Sequence, residues 1–265
     1  MPTSRILFLG DVCSEPGRIA VRTALPKLKQ DTRADFTIVN AENVAGGYGI
    51  TPKFGEELLA LGADCLTLGD HAFDRKEGLD YLNAQLKVLR PANYPATAPG
   101  RGYRVFDSAA GKFAVVNLLG RVYLKPCDCP FQRARLIVNE VSALTKVIIV
   151  DMHAEATAEK QAMGWFLDGH VSAVLGTHTH VQTADERVLP QGTAYITDVG
   201  MCGSFDSVLG MDKEGAVKRL LDCMPVKLHP GKADYRVNAV VVEVDVLTGR
   251  AQGIERLSVP VAPPA

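Results

Sequence analysis

Acidic, carboxamide and imidazole side chains gather at five places in this sequence, each just after a short apolar run. Asp11 follows residues 6–9, Glu42 and Asn43 follow 36–39, and Asp70 and His71 follow 65–68. Asp151 and His153 follow 147–150, and His178 and His180 follow 171–175. Carboxylate, carboxamide and neutral imidazole together suit borderline divalent ions such as Fe, Mn, Zn or Co. The candidates outnumber the ligand positions of one tetrahedral ion. Two ions ~3.5–4 Å apart would use them all. His178 and His180 fit that reading, because in extended backbone residues i and i+2 leave the same face ~6.5–7 Å apart, one imidazole for each ion. A carboxylate must then bridge the ions, and Glu42 is the natural choice.

Several of these residues have plainer readings. Asp11 could cap the next helix, Asn43 could be a turn residue before Gly46-Gly47, and Asp151 could support a ligand or stand at a helix start. Lone histidines such as His170 and His229 carry no role. The pair His178 and His180, together with Glu42, His71 and His153 at other strand ends, is what favours a metal site. The Gly46-Gly47 stretch has neither the Lys-Ser/Thr ending of a P-loop nor G-x-G-x-x-G spacing. No G-x-S-x-G occurs. A nucleotide fold is therefore rejected, and no Ser-His-Asp arrangement stands out.

The apolar runs read as short buried strands at 5–10, 36–40, 65–68, 147–150, 171–175 and 193–197. Between them, helices are expected at 16–30, 52–61, 76–86, 130–144, 155–167 and 213–221, with Pro16 suited to a helix start. This alternation implies βαβ units. Residues 103–107 and 113–118 form an expected hairpin, and the long strand 238–246 turns at Thr248-Gly249 into 252–258. A layered α/β sandwich with mixed sheets accommodates both features. It forms one domain over residues 1–258, followed by a frayed tail at 259–265. Ligands of open α/β sheets bind beyond the carboxyl ends of strands, where the candidates fall.

The composition agrees. With 265 residues, 47% hydrophobic and 22% charged, the chain is an ordinary globular one. A net charge of −1 provides no global basic field, so no stable nucleic-acid binding is expected. Phosphate affinity must be local, for instance at bound cations. No apolar run approaches ~18 residues, so no membrane span is expected. The stretch 6–9 is too short for a secretory signal core, and the expected setting is the cytoplasm. Cys13, Cys65, Cys127, Cys129, Cys202 and Cys223 read as reduced thiols. Cys127-Asp128-Cys129 lacks zinc-finger spacing and runs into Pro130, which suggests a loop.

Five stretches resemble, in order, the motifs of the calcineurin-like metallophosphoesterase superfamily, and more closely its YmdB-like bacterial branch. They are Phe8-Leu9-Gly10-Asp11-Val12, Asn40-Ala41-Glu42-Asn43, Leu68-Gly69-Asp70-His71-Ala72, Asp151-Met152-His153-Ala154-Glu155-Ala156-Thr157 and Gly176-Thr177-His178-Thr179-His180-Val181. Gly164-Trp165 and residues 197–201 are similar as well, so the resemblance spans nearly the whole chain. It implies an α-β-β-α sandwich and hydrolysis of a small phosphodiester, a cyclic nucleotide of the 2',3' type first. It implies two divalent or trivalent ions, iron first, with Mn, Zn or Co as alternatives. One ion would be held by Asp11, Glu42, Asn43 and His180, the other by Glu42, Asp70, His153 and His178, with Glu42 bridging. His71 would stand outside the ions as the general acid facing phosphate. A homo-oligomer is expected.

The sequence departs from the superfamily pattern at Cys13, where Asp-x-His is usual, and Glu42-Asn43 replaces Gly-Asp as in the YmdB-like branch. It departs from the branch at Gly69-Asp70-His71, where the pattern is Gly-Asn-His. A carboxylate at 70 still ligates, but its charge beside the ions should raise the pKa of a bridging water and weaken Lewis acidity. In the implied mechanism, a hydroxide made from a water shared by both ions attacks phosphorus in line. Charge on the non-bridging oxygens is taken up by the ions, and His71 protonates the departing ribose oxygen. Two alternatives stay open: a metal-binding regulatory protein with little turnover, which Asp70 favours, and a phosphomonoesterase on the same scaffold.

Overall fold

Strand β1 (Thr3–Leu9) sends alternate side chains to opposite faces, and that parity sets the layers of the molecule. In the computed structural model, which describes residues 3–262, Leu7 and Leu9 pack with Ala20, Val21 and Leu25 of a covering helix. Ile6 and Phe8 point the other way, into a core shared with Phe113, Val115 and Ile149. A strand covered on both faces needs this near-continuous apolar run.

The chain continues through β2 (Asp11–Val12), α1 (Ser14–Thr32), β3 (Phe36–Asn40), α2 (Pro52–Ala60), β4 (Cys65–Thr67), α3 (Lys76–Ala84) and β5 (Val88–Leu89). The hairpin β6 (Tyr103–Ser108) and β7 (Gly111–Leu119) leads to α4 (Pro130–Val141), β8 (Val147–His153), α5 (Thr157–Phe166) and β9 (Ala173–Thr177). Next come β10 (Arg187–Val188), β11 (Ala194–Ile196), β12 (Met201–Ser204) and α6 (Lys213–Asp222). Two long strands, β13 (Tyr235–Asp245) and β14 (Ala251–Val261), close the chain.

The strands form two mixed sheets. One has the order β2-β12-β13-β1-β3-β4-β5, with β14 also paired to β13; the other runs β10-β11-β9-β8-β7-β6. In the first, β1, β3, β4 and β5 are parallel while β13 is antiparallel to β1; in the second, β7, β8, β9 and β11 are parallel. Helices α1 to α3 cover the first sheet and α4 and α5 the second. The inner faces meet, with Phe36 stacked on Phe113 at 4.9 Å between ring centroids. This is the expected α-β-β-α sandwich.

Local chemistry sets the helix ends. Thr51 caps α2 ahead of Pro52, and Asp212 caps α6 by accepting from the Gly215 N–H at 2.8 Å. Helix α1 starts two residues earlier than expected. Pro16 sits in its first turn, where a missing N–H costs nothing. The short strands β2, β5, β10 and β12 were not expected, because runs of two to four residues carry no measurable alternation.

The tail boundary is corrected. Val259, Pro260 and Val261 pair with Val237, Arg236 and Tyr235 as the end of β14. Pro260 is tolerated because β14 pairs on one side only. Residues 263–265 of the expected tail lie outside the described residues. Among the described residues, no helix is long and apolar enough to cross a membrane, and all six cysteines are free.

Candidate metal centre

The slab between the sheets changes character along its strands. Phe36 and Ile38 on β3, Phe113 and Val115 on β7, Val147 and Ile149 on β8, and Ala173 and Leu175 on β9 fill its apolar part. By the period of two, the next residues on the same faces are Asn40, Asn117, Asp151 with His153, and Thr177. The inter-sheet face thus turns polar at the carboxyl ends of the strands. There Asn40 Nδ2 donates to Asp151 Oδ2 at 3.1 Å, and Asn117 Nδ2 donates to the Leu68 and Leu89 carbonyls at 2.6 and 3.0 Å. These buried bonds join one sheet to the other beside the candidate ligands.

Glu42, Asp70, His153 and His178 each place a ligand atom within 4.8 Å of the others. His153 Nε2 lies 3.0 Å from Glu42 Oε1, 3.4 Å from Asp70 Oδ1 and 3.0 Å from His178 Nδ1. The far side of each ring is held. Thr177 Oγ1 donates to Asp151 Oδ1 at 2.7 Å and so must accept from His153 Nδ1 at 2.8 Å. Glu155 Oε2 accepts from His178 Nε2 at 3.1 Å. His178 therefore turns a lone pair to the cluster. His153 Nε2, set among Glu42, Asp70 and His178, holds a proton at the place where a cation would replace it, its ring fixed from behind as outer partners of metal-binding histidines do.

A second cluster lies on the other side of Glu42. Asn43 Nδ2 is 3.2 Å from Glu42 Oε1 and 3.2 Å from His180 Nε2. His180 Nε2 is 3.9 Å from Asp11 Oδ1, and His180 Nδ1 donates to the Leu209 carbonyl at 3.1 Å. A half-turn of the Asn43 amide would present its oxygen instead of its NH2 group. Asp11 Oδ2 accepts the His178 backbone N–H at 3.1 Å.

The donor set fits cations. Asp11 Oδ1 is buried without a hydrogen-bond partner, and Asp70 Oδ1 in the other cluster has only the long approaches of His153 Nε2 at 3.4 Å and His178 Nδ1 at 3.5 Å. Such orphaned oxygens are costly unless something positive meets them. Gly69 leaves the required room: a Cβ there would lie 2.0 Å from Glu42 Oε2 and 2.3 Å from His153 Nε2.

The electrostatics agree. Burial pushes the Asp11 carboxyl up to about 6, against the pull of His180 and His153. Burial would likewise raise the Glu42 carboxyl, but the charge and hydrogen bond of His153 outweigh it and hold it low. The same contacts raise His153 well above the usual imidazole range, against its own burial. Burial and the neighbouring His153 charge lower His178 to about 4, which keeps it a neutral donor near pH 7. Cys13, at the position where the superfamily has His, lies 3.6 Å from His180 Nδ1. Burial pushes its thiol well up, so it stays protonated.

Every candidate from the sequence falls in or against these two clusters, with three revisions. His178 and His180 are not in extended backbone; β9 ends at Thr177 and their φ values are 100° and 66°. They part because the chain turns, not because they share a strand face. Asp151 and His153 lie within β8 rather than after it. Asp11 opens β2 and does not cap α1, whose N-cap Cys13 makes no side-chain cap bond.

Positive φ at a non-glycine residue costs on the order of 1–3 kcal/mol and persists only where surroundings impose it. Asp198 imposes it here, accepting from the Thr179 N–H at 3.0 Å, Thr179 Oγ1 at 2.7 Å and the fully buried Lys160 ammonium at 2.6 Å. His71 stands outside both clusters, with Nε2 3.8 Å from Asp70 Oδ2. Its Nδ1 donates to Asp74 Oδ2 at 2.6 Å, and Lys125 Nζ joins Asp74 Oδ1 at 3.0 Å to the Asp70 carbonyl at 2.6 Å. Sequence reasoning missed Asp74, Lys125, Lys160, Glu155 and Thr177 as supports. The Asp74 spacing of three from His71 was the one available signal.

The YmdB-like protein family model matches residues 7–257. The chain is 47% identical over 253 residues to the 2',3'-cyclic-nucleotide 2'-phosphodiesterase of Bacillus subtilis (strain 168), covering 96% of each. Among solved structures it is similar to a hypothetical protein from Thermus thermophilus, with TM-score 0.90, 38% identity, and coverage of 97% of this chain and 99% of that one. It is also similar to a novel phosphatase from Mycoplasma pneumoniae, with TM-score 0.92, 35% identity, and coverage of 98% and 94%. Matched from end to end in sequence and in fold, the chain belongs to the YmdB-like family of metallophosphoesterases.

Proposed function

We propose that the protein is a metal-dependent phosphodiesterase that opens nucleoside 2',3'-cyclic phosphates at a two-ion centre. The observation that carries this reading is Glu42 Oε1, which touches both clusters: His153 at 3.0 Å and Asn43 at 3.2 Å. The name of the Bacillus subtilis relative supports the substrate class. Asp11, Glu42, Asn43 and His180 would hold one ion; Glu42, Asp70, His153 and His178 would hold the other. When bound, the ions supply Lewis acidity toward water and toward the phosphoryl oxygens.

The chain supplies orientation and a proton. Thr177 and Glu155 fix the tautomers of His153 and His178. Asp74 accepts the Nδ1–H of His71 and keeps that proton in place, so in this reading His71 acts as the imidazolium and gives up its Nε2 proton. It passes to the ribose oxygen as its bond to phosphorus breaks. Lys125, tied to both Asp74 and the Asp70 carbonyl, keeps this acid at a fixed distance from the ligands.

The test compares leaving groups. His71→Ala should lower kcat on 2',3'-cyclic AMP by about 10²–10⁴-fold while both ions stay bound, as measured by elemental analysis. Loss on bis-p-nitrophenyl phosphate should be far smaller, because nitrophenolate leaves without a proton. Asp74→Asn should show the same split to a lesser degree. Full activity in His71→Ala would remove His71 from the mechanism, and loss of the ions would make it a ligand. A wild-type preference for p-nitrophenyl phosphate would identify a monoesterase instead.

A further inference from the structure

Beside the acid stands an aromatic ring that the reaction so far does not use. Tyr48 packs perpendicular to His71, with 5.1 Å between ring centroids and an interplanar angle of 89°. It is 54% exposed, so more than half of the residue's surface faces solvent. Its loop begins at the ligands Glu42 and Asn43 and is built on Gly46, Gly47 and Gly49, all at positive φ. The loop closes on itself through Gly47 N–H to the Asn43 carbonyl at 3.0 Å and Ala45 N–H to the Gly49 carbonyl at 3.1 Å. Arg75 pins it from outside, donating Nε to the Tyr48 carbonyl at 2.9 Å and a second nitrogen to the Ala45 carbonyl. An exposed tyrosine is thus presented on a braced loop, at the edge of the acid.

The proposed reaction says what would lie there. Water adds to phosphorus, the bond from phosphorus to the 2'-oxygen breaks, and that oxygen takes the His71 proton. The 2'-carbon neighbours the 1'-carbon, which carries the base. A nucleoside whose 2'-oxygen faces His71 therefore brings its base to the same side. We propose that Tyr48 is the stacking platform for that nucleobase, an inference that rests on the cyclic-nucleotide reading above. Stacking is tolerant of base identity, since every base has a π-face. Because the loop is already ordered, little ordering cost is added on binding.

The experiment compares kcat/KM for 2',3'-cyclic AMP with that for glycerol 1,2-cyclic phosphate, which has no base. In Tyr48→Ala the ratio should fall about tenfold, through KM for the nucleotide, and Tyr48→Phe should restore it. An equal loss on both diesters would mean that Tyr48 only buttresses His71, and would overturn the platform. So would an unchanged ratio. A wild-type protein inactive on every diester would sink the phosphodiesterase reading alone. Calorimetric binding of adenosine 3'-monophosphate then decides the platform, with an equal Kd in wild type and Tyr48→Ala counting against it.

Discussion

Burial alone would raise the Asp70 carboxyl, yet the hydrogen bond and charge of His153, then His71 and His178, hold it well below the usual carboxylate range. Asp70 is therefore ionised at neutral pH, a third carboxylate beside Glu42 and Asp11 where the family pattern has a neutral amide. Extra negative charge should hold cations more tightly and blunt their acidity toward water. Asp70→Asn is expected to raise kcat on bis-p-nitrophenyl phosphate on the order of tenfold, the effect of one pKa unit on a shared water. The same variant should lose its ions faster in dialysis against chelator. A fall in kcat with ions retained would contradict this. At this scale the residues that gather in the two clusters were legible, because a carboxylate, amide or imidazole after an apolar run has no packing role to explain it. Thr177, Glu155 and Lys125 were not, because a threonine, a helix-start glutamate and a loop lysine look ordinary until the fold sets them beside a histidine or an aspartate.

The turn after β9 matters more than any one of its side chains. His178 and His180 serve different clusters because Thr179 between them is anchored to Asp198, and Asp198 is anchored to Lys160 of α5. Both members of that ion pair are fully buried. Removing one partner of such a pair strands the other charge and costs about 3–5 kcal/mol. Lys160→Met should lose that much unfolding free energy in a urea titration, and Asp198→Asn in the same chain should recover part of it. A loss under about 1 kcal/mol would show that the pair does not brace the turn. Most helices and long strands were legible from the alternation of apolar runs with helical patterns, and Pro16 marked the first turn of α1. The turn was not: the sequence pattern His-x-His reads as strand, and only tertiary hydrogen bonds to Asp198 impose the left-handed backbone.

Taken whole, the molecule divides the candidate ligands by sheet. Asp11, Glu42, Asn43 and Asp70 come from the first sheet, and His153, His178 and His180 from the second. Acidic and amide groups thus face imidazoles across the inter-sheet slab, where its apolar filling gives way to Asn40, Asn117, Asp151 and Thr177. The layered α/β class was legible because strands and helices alternate. The strand order was not, because nothing local in β13 says that it lies between β12 and β1. Convergence of both sheets on one bridging glutamate is the central claim, and anomalous diffraction from metal-loaded crystals tests it most directly. Two peaks ~3.5–4 Å apart, with Glu42 between them, His178 on one and His180 on the other, are predicted. A single peak, or a pair that shares no Glu42 oxygen, would contradict it.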